Sequence, residues 1–191
     1  MFNIRQLKPG ISLGLLDLEA YSAQRPEATK RDLERAGTRT LLSTMCGDRA
    51  VQLTYDNNNK PHLLNREGHI SISHSHDKLA IILNAKEETG IDIELIRDKV
   101  QRIQHKYLNA GEQERAGGQT EKLITYWAAK ECLYKLYGKK EVDFIRHLFI
   151  ETETDFELVG RIEMAGQIKR YLLSKERIDQ YIMVFSHHEI R

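Results

Sequence analysis

The chain has 191 residues, with 29 Lys plus Arg against 28 Asp plus Glu and a net charge of +1. That balance argues against a dedicated nucleic-acid binder, which is usually strongly basic, and no apolar run is long enough for a membrane-spanning helix. Length allows one sizeable domain or two small similar halves. Cys46 and Cys132 lie far apart and form no metal-type pair, so a reduced cytoplasmic setting is expected. The start, Met1 to Gln6, lacks the basic-then-apolar layout of a signal peptide.

In chain order, Ile11 to Leu18 reads as a first strand. Pro26 stands where a helix begins, and Leu33, Ala36, Thr40 and Leu41 carry helical spacing to about Met45. Ala50 to Tyr55 alternates as a strand, and Asp56 to Pro61 is a turn by composition. Strands follow at His69–His74, Lys78–Leu83 and Ile91–Leu95. Two helices are predicted, Lys99–Leu108 and Glu121–Tyr137, the second ending at Gly138. The remainder alternates as strands over Phe144–Glu151, Phe156–Ile162, Ile168–Leu173 and Tyr181–Ser186. One long helix plus several antiparallel strands in each half predicts an α+β fold. The halves are expected at 1–88 and 89–191, tightly packed, with no repetition visible between them.

Charge is uneven. Arg25, Lys30, Arg31, Arg35 and Arg39 cluster in the first helix, and Lys99, Arg102, His105 and Lys106 form a second basic group. Both could face an anionic ligand or an acidic protein. Charge alone favours the plainer reading, a solvated helix face salted with Glu27, Asp32 and Glu34.

The chemistry concentrates in three stretches. In Gly90-Ile91-Asp92-Ile93-Glu94, alternation puts Ile93 toward the core and both acids on the other side. In Trp127-Ala128-Ala129-Lys130-Glu131-Cys132-Leu133-Tyr134-Lys135, Glu131 and Lys135 stand one helical turn apart and point the same way. Alone, the first would pass for an ordinary exposed edge strand and the second for an exposed helical ion pair. Together, three carboxylates beside a lysine suit a magnesium-held phosphate group and its transfer. The third stretch, His69 to His76, ends a strand in Ser73-His74-Ser75. Hard oxygen neighbours and the lack of a nearby cysteine disfavour zinc at His74 and His76. Adjacent strand residues point apart, which disfavours a Ser-His nucleophile. Phosphate or ribose binding is the better use of Ser73 and His74.

These stretches resemble the motifs of the 4′-phosphopantetheinyl transferases, specifically the surfactin-synthetase-activating, pseudo-dimeric type. The G-[IV]-D-x-E element is matched by Gly90, Ile91, Asp92 and Glu94. W-[SCT]-x-K-E-[AS]-x-x-K is matched by Trp127, Lys130, Glu131 and Lys135, and I-S-H-S by Ile72 to Ser75. Looser matches are Lys106-Tyr107-Leu108 with Glu112, Asn59-Lys60-Pro61 where G-K-P is usual, and the arginine-rich first helix. The matches run in the family's order from about Lys30 to Lys135. Ala128 and Cys132 depart from the pattern but stay small. Asn59 and His76 stand where glycine or another small residue is frequent.

The resemblance implies two similar α/β halves packed as a pseudo-dimer, each a long helix against a small, mostly antiparallel sheet. Coenzyme A would bind between them, the first half holding its nucleotide and the second carrying metal and catalytic groups. It implies Mg²⁺ on Asp92, Glu94 and Glu131. Glu131, Lys135 and Lys130 would be the catalytic residues. Arg31, Arg39, Lys60, Ser73, His74, Asp92 and Lys135 would bind coenzyme A. A serine hydroxyl of an acyl or peptidyl carrier protein would attack the β-phosphate, releasing 3′,5′-ADP. Fatty-acid, polyketide and peptide synthesis all use such carriers. A monomer is expected, because two halves in one chain replace a partner subunit. The rival readings are a carrier-protein-binding module without turnover, and a magnesium-dependent nuclease.

Overall fold

The computed structural model describes residues 2–23 and 27–190. It is an α+β protein of two compact units, Met1–Thr89 and Gly90–Arg191. Arg25 and Pro26, named above for the basic cluster and the helix start, lie outside the described residues.

The first unit contains strands β1 (Phe2–Lys8), β2 (Ile11–Asp17), β3 (Leu53–Tyr55), β4 (Pro61–Leu63), β5 (His69–Ser75) and β6 (Lys78–Asn84), with helices α1 (Leu18–Ser22) and α2 (Lys30–Cys46). Its main sheet is antiparallel in the order β1-β2-β6-β5, and β3 and β4 form a separate ribbon. Helix α2 packs on β2 and β6. Leu41 and Leu42 from the helix join Leu16, Leu79 and Ile81 from the sheet in one core. Thr29 caps the helix start by accepting from the Asp32 N–H, and Gly47 closes its end in the left-handed conformation.

The second unit contains β7 (Ile91–Leu95), α3 (Lys99–Ile103), α4 (Ala110–Ala116), α5 (Thr120–Tyr137), β8 (Leu148–Glu153), β9 (Glu157–Met164), β10 (Gln167–Ile178) and β11 (Tyr181–Ile190). Its antiparallel sheet runs β7-β11-β10-β9-β8. Helix α5 lies on β7, β8, β9 and β11 and buries residues on nearly every side, among them Leu123, Ala128, Ala129, Cys132 and Leu133. That coverage explains why it shows no clean amphipathic stripe. Gly138 ends it with φ 68°.

Several elements differ from the sequence expectation, each for a local reason. Strand β1 was not expected. Its alternation of Phe2, Ile4 and Gln6 breaks at a register shift between Gln6 and Lys8, and nearly all of it is exposed. The helix expected over Lys99–Leu108 stops at Ile103 and tightens into a 3-10 turn, Gln104–Lys106. Helix α4 then starts from a capping box, in which Asn109 accepts from the Glu112 N–H and Glu112 accepts from the Asn109 N–H. Strand β8 starts at Leu148 instead of Phe144, because Asp143 accepts from the N–H groups of Ile145 and Arg146 and turns the chain.

Candidate active site

Strand β7 and helix α5 form one constellation in the second unit. Gly90, just before β7, exchanges hydrogen bonds with Ser186: the glycine N–H donates to Ser186 Oγ at 2.9 Å, and the Ser186 N–H donates to the Gly90 carbonyl at 2.9 Å. A Cβ at Gly90 would collide with the Cys132 carbonyl oxygen, so the missing side chain lets α5 approach the strand. From there Asp92 and Glu94 project from one face of β7, opposite the fully buried Ile93. The acids do not face open solvent as an edge strand would suggest. Helix α5 covers their face, and Asp92 is only 3% exposed.

The helix meets them with Trp127, Glu131 and Lys135, spaced at i, i+4 and i+8 along one stripe. Lys135 Nζ donates to Asp92 Oδ1 at 2.7 Å and to the Ile91 carbonyl at 3.1 Å. Trp127 Nε1 donates to Glu94 Oε1 at 2.9 Å. Glu131 lies between these contacts on the helix. Burial pushes its carboxyl up to about 7; the negative charges of Asp92 and Glu94 add to the rise, and Lys135 opposes it. Among the described residues, no group of three or more His, Cys, Asp or Glu side chains is arranged to hold a metal ion as it stands.

Lys130 is turned into the protein rather than toward Asp92 and Glu94. It is fully buried and ion-paired with Glu112 at 2.6 Å, and it also donates to the carbonyls of Tyr107 at 2.7 Å and Phe144 at 2.8 Å. All three ammonium protons are used inside the protein, none near Asp92 or Glu94. Burial pulls its pKa down and Glu112 pulls it back. Glu112 also accepts from the Ile150 N–H at 2.9 Å. The pair therefore braces α4, α5 and β8. Its signal in the sequence was the Asn109-x-x-Glu112 box.

The first unit holds a groove of about 1240 Å³ between α2, the β3 region and β5, lined by Arg31, Arg35, Arg39, Tyr55 and His74 among others. His74 Nδ1 lies 3.6 Å from Glu34. Arg31, Arg39 and His74 are thus brought together. Lys60 and Ser73 do not line this groove. Lys60 Nζ pairs with Glu88 at 2.6 Å, and Ser73 is buried on the opposite face of β5 from His74. Asn59 and His76, the two departures where small residues are frequent, have φ of 63° and 53°. Glycine adopts that left-handed region without strain, which accounts for its frequency in the motif.

A model of the 4′-phosphopantetheinyl transferase superfamily matches residues 88–186, just over half of the chain. The chain belongs to that superfamily. The match takes in β7, α3, α4 and α5 and most of the sheet behind them. Membership makes the protein a transferase of the phosphopantetheinyl type, in a family that uses coenzyme A. No curated protein matches the chain.

Proposed function

We propose that the protein transfers 4′-phosphopantetheine from coenzyme A to a serine of an acyl or peptidyl carrier protein, with Mg²⁺, as a transferase of the surfactin-synthetase-activating, pseudo-dimeric type. The observation that carries this reading is the mating of the Trp127–Glu131–Lys135 stripe with Asp92 and Glu94.

The carboxylates fit a hard divalent cation. Asp92, Glu94 and Glu131 offer only oxygen donors, the chemistry Mg²⁺ selects when phosphate supplies its remaining ligands. Burial first, and then the charges of Asp92 and Glu94, raise the Glu131 carboxyl, and a cation would relieve that repulsion. These three residues would hold Mg²⁺, which when bound neutralises charge on the diphosphate oxygens. Lys135, already against Asp92, would supply a positive charge to offset the negative one that develops on the leaving oxygen. Glu131, whose own proton a bound cation would displace, is suited as a carboxylate to take the serine proton. The serine oxygen then bonds to the β-phosphorus, the bond from that phosphorus to the bridging oxygen breaks, and 3′,5′-ADP leaves.

The Arg31–Arg39–His74 groove is suited to the nucleotide's 3′-phosphate, since guanidinium groups bind phosphate oxygens in pairs. Both cysteines are free, consistent with a reduced cytoplasmic setting. The test is mass spectrometry of an acyl and a peptidyl carrier protein after incubation with coenzyme A, Mg²⁺ and enzyme. The wild type should modify at least one carrier, and Asp92→Ala and Glu131→Ala neither. Full modification by either variant removes the metal assignment. No modification by the wild type of any carrier removes the proposed substrate class.

A further inference from the structure

We infer that Trp127 is a positioning residue for Glu94. Its indole N–H fixes the carboxylate that completes the cation site, so metal binding and tryptophan environment are coupled. The inference rests on the metal assignment just proposed.

Glu94 is the penultimate residue of a five-residue strand at the edge of its sheet. Its long side chain has several rotamers and loses much of that freedom when held in one place. The hydrogen bond from Trp127 Nε1 to Oε1, 2.9 Å, selects one of those positions. That selection is only as firm as the indole itself, and the indole is well held. Tyr107 meets it edge-on with ring centroids 4.9 Å apart, and Phe144 stacks on it at 5.7 Å with 23° between planes.

Those two aromatic residues are pinned in turn. Lys130 Nζ donates to the backbone carbonyls of both Tyr107 and Phe144. The Tyr107 hydroxyl donates to the Leu123 carbonyl at 3.2 Å, tying the same bracket to the first turn of α5. A chain of contacts therefore runs from the buried Lys130–Glu112 pair, through two aromatic rings, to the indole and on to one carboxylate. Outer groups that hold a metal-ligating side chain in place commonly change metal affinity 10- to 100-fold when removed. A tryptophan serving only as core filler would need its N–H satisfied, but nothing would require the acceptor to be one of the three clustered acids.

The chain has one tryptophan, so emission excited near 295 nm reports this residue alone. Mg²⁺ is titrated into the protein holding saturating coenzyme A, without carrier protein, and followed by calorimetry and emission together. The expected result is a saturable emission change with the calorimetric midpoint. Trp127→Phe keeps the ring stack and loses the N–H. Its Mg²⁺ affinity should fall about 10-fold, and turnover should recover at high Mg²⁺. Heat of binding without an emission change overturns the coupling, and this reading uses only the wild type, whatever the fold of the variant. Equal Mg²⁺ affinity in Trp127→Phe, with only a lowered melting temperature, also overturns it. Absence of any Mg²⁺ binding by the wild type overturns the metal assignment itself and the inference with it.

Discussion

Gly90 lies against the carbonyl of Cys132, too close for any side chain to stand between strand and helix. The obstacle is backbone, not a flexible side chain, so it cannot swing away. Gly90→Ala must displace α5 from β7 or break the paired hydrogen bonds to Ser186. Overpacking of this kind costs about 1–3 kcal/mol and more where nothing yields. We expect a loss of roughly 3 kcal/mol in urea unfolding, and activity to fall further than stability does. A variant of wild-type stability would show that the helix approach is not fixed at this residue.

Glu131 supplies a pH dependence. Its carboxyl sits near 7 in the folded protein against an ordinary value of 4.5. Between those values the folded state holds a proton that the unfolded state has released, so metal-free stability declines as pH rises from about 4.5 to 7. The contribution is complete below the unfolded value and lost above the folded one. Glu131→Gln should remove this decline and stabilise the metal-free protein at pH 8, by order of 3 kcal/mol at most. In the wild type, Mg²⁺ competes with that proton, so its apparent affinity should strengthen as pH rises through 7. Melting temperatures and Mg²⁺ calorimetry across pH 5.5–8.5 check both signs.

The constellation of β7 and α5 was legible because two periodicities expose it. Period two puts Asp92 and Glu94 on one face, and period 3.6 puts Trp127, Glu131 and Lys135 on one stripe. What sequence spacing cannot report is which face becomes covered. Taken alone the strand reads as an exposed edge, yet α5 buries Asp92, because the helix is covered on nearly every side and β7 supplies part of that cover. Lys130 is not on that stripe. Its place next to Glu131 suggested shared chemistry, but neighbours on a helix point about 100° apart, and Lys130 turns into the protein. Strand β1 carries no clear sequence signature because its bulge breaks the alternation that identifies a strand.

The basic groove predicts a split between binding and turnover. If Arg39 and His74 hold the nucleotide's 3′-phosphate, Arg39→Ala and His74→Ala should each raise the KM for coenzyme A about 10-fold, as expected for one charge-assisted hydrogen bond. Saturated turnover should change little, since the contact is equal in ground and transition states. Dephospho-coenzyme A lacks that phosphate and should bind wild type and variants alike. An equal defect with both cosubstrates would place these residues elsewhere in recognition.

His76 holds φ at 53° in the two-residue turn between β5 and β6. A non-glycine side chain there costs about 1 kcal/mol or more, partly offset by the greater unfolded-state freedom of glycine. His76→Gly should therefore raise stability by about 0.5–1 kcal/mol, read as a higher urea midpoint with an unchanged slope. A lower midpoint would show that the imidazole makes a contribution larger than the backbone strain.

The buried Lys130–Glu112 pair makes the sharpest distinction between brace and catalyst. Lys130→Met keeps the length and apolar stem but removes the charge, leaving Glu112 buried and the Tyr107 and Phe144 carbonyls without this donor. Breaking one partner of such a pair costs about 3–5 kcal/mol. The Glu112 carboxylate keeps the N–H groups of Asn109 and Ile150, which places the expected loss at the lower end. The loss should appear in unfolding, with exposure of the α4 and β8 amides in hydrogen exchange. The folded fraction, assayed at low temperature and saturating Mg²⁺, should turn over within a few-fold of wild type. A stable Lys130→Met protein without activity would return Lys130 to the chemistry, whereas an unstable one with near-normal specific activity would fix it as the brace that its buried, threefold-satisfied ammonium describes.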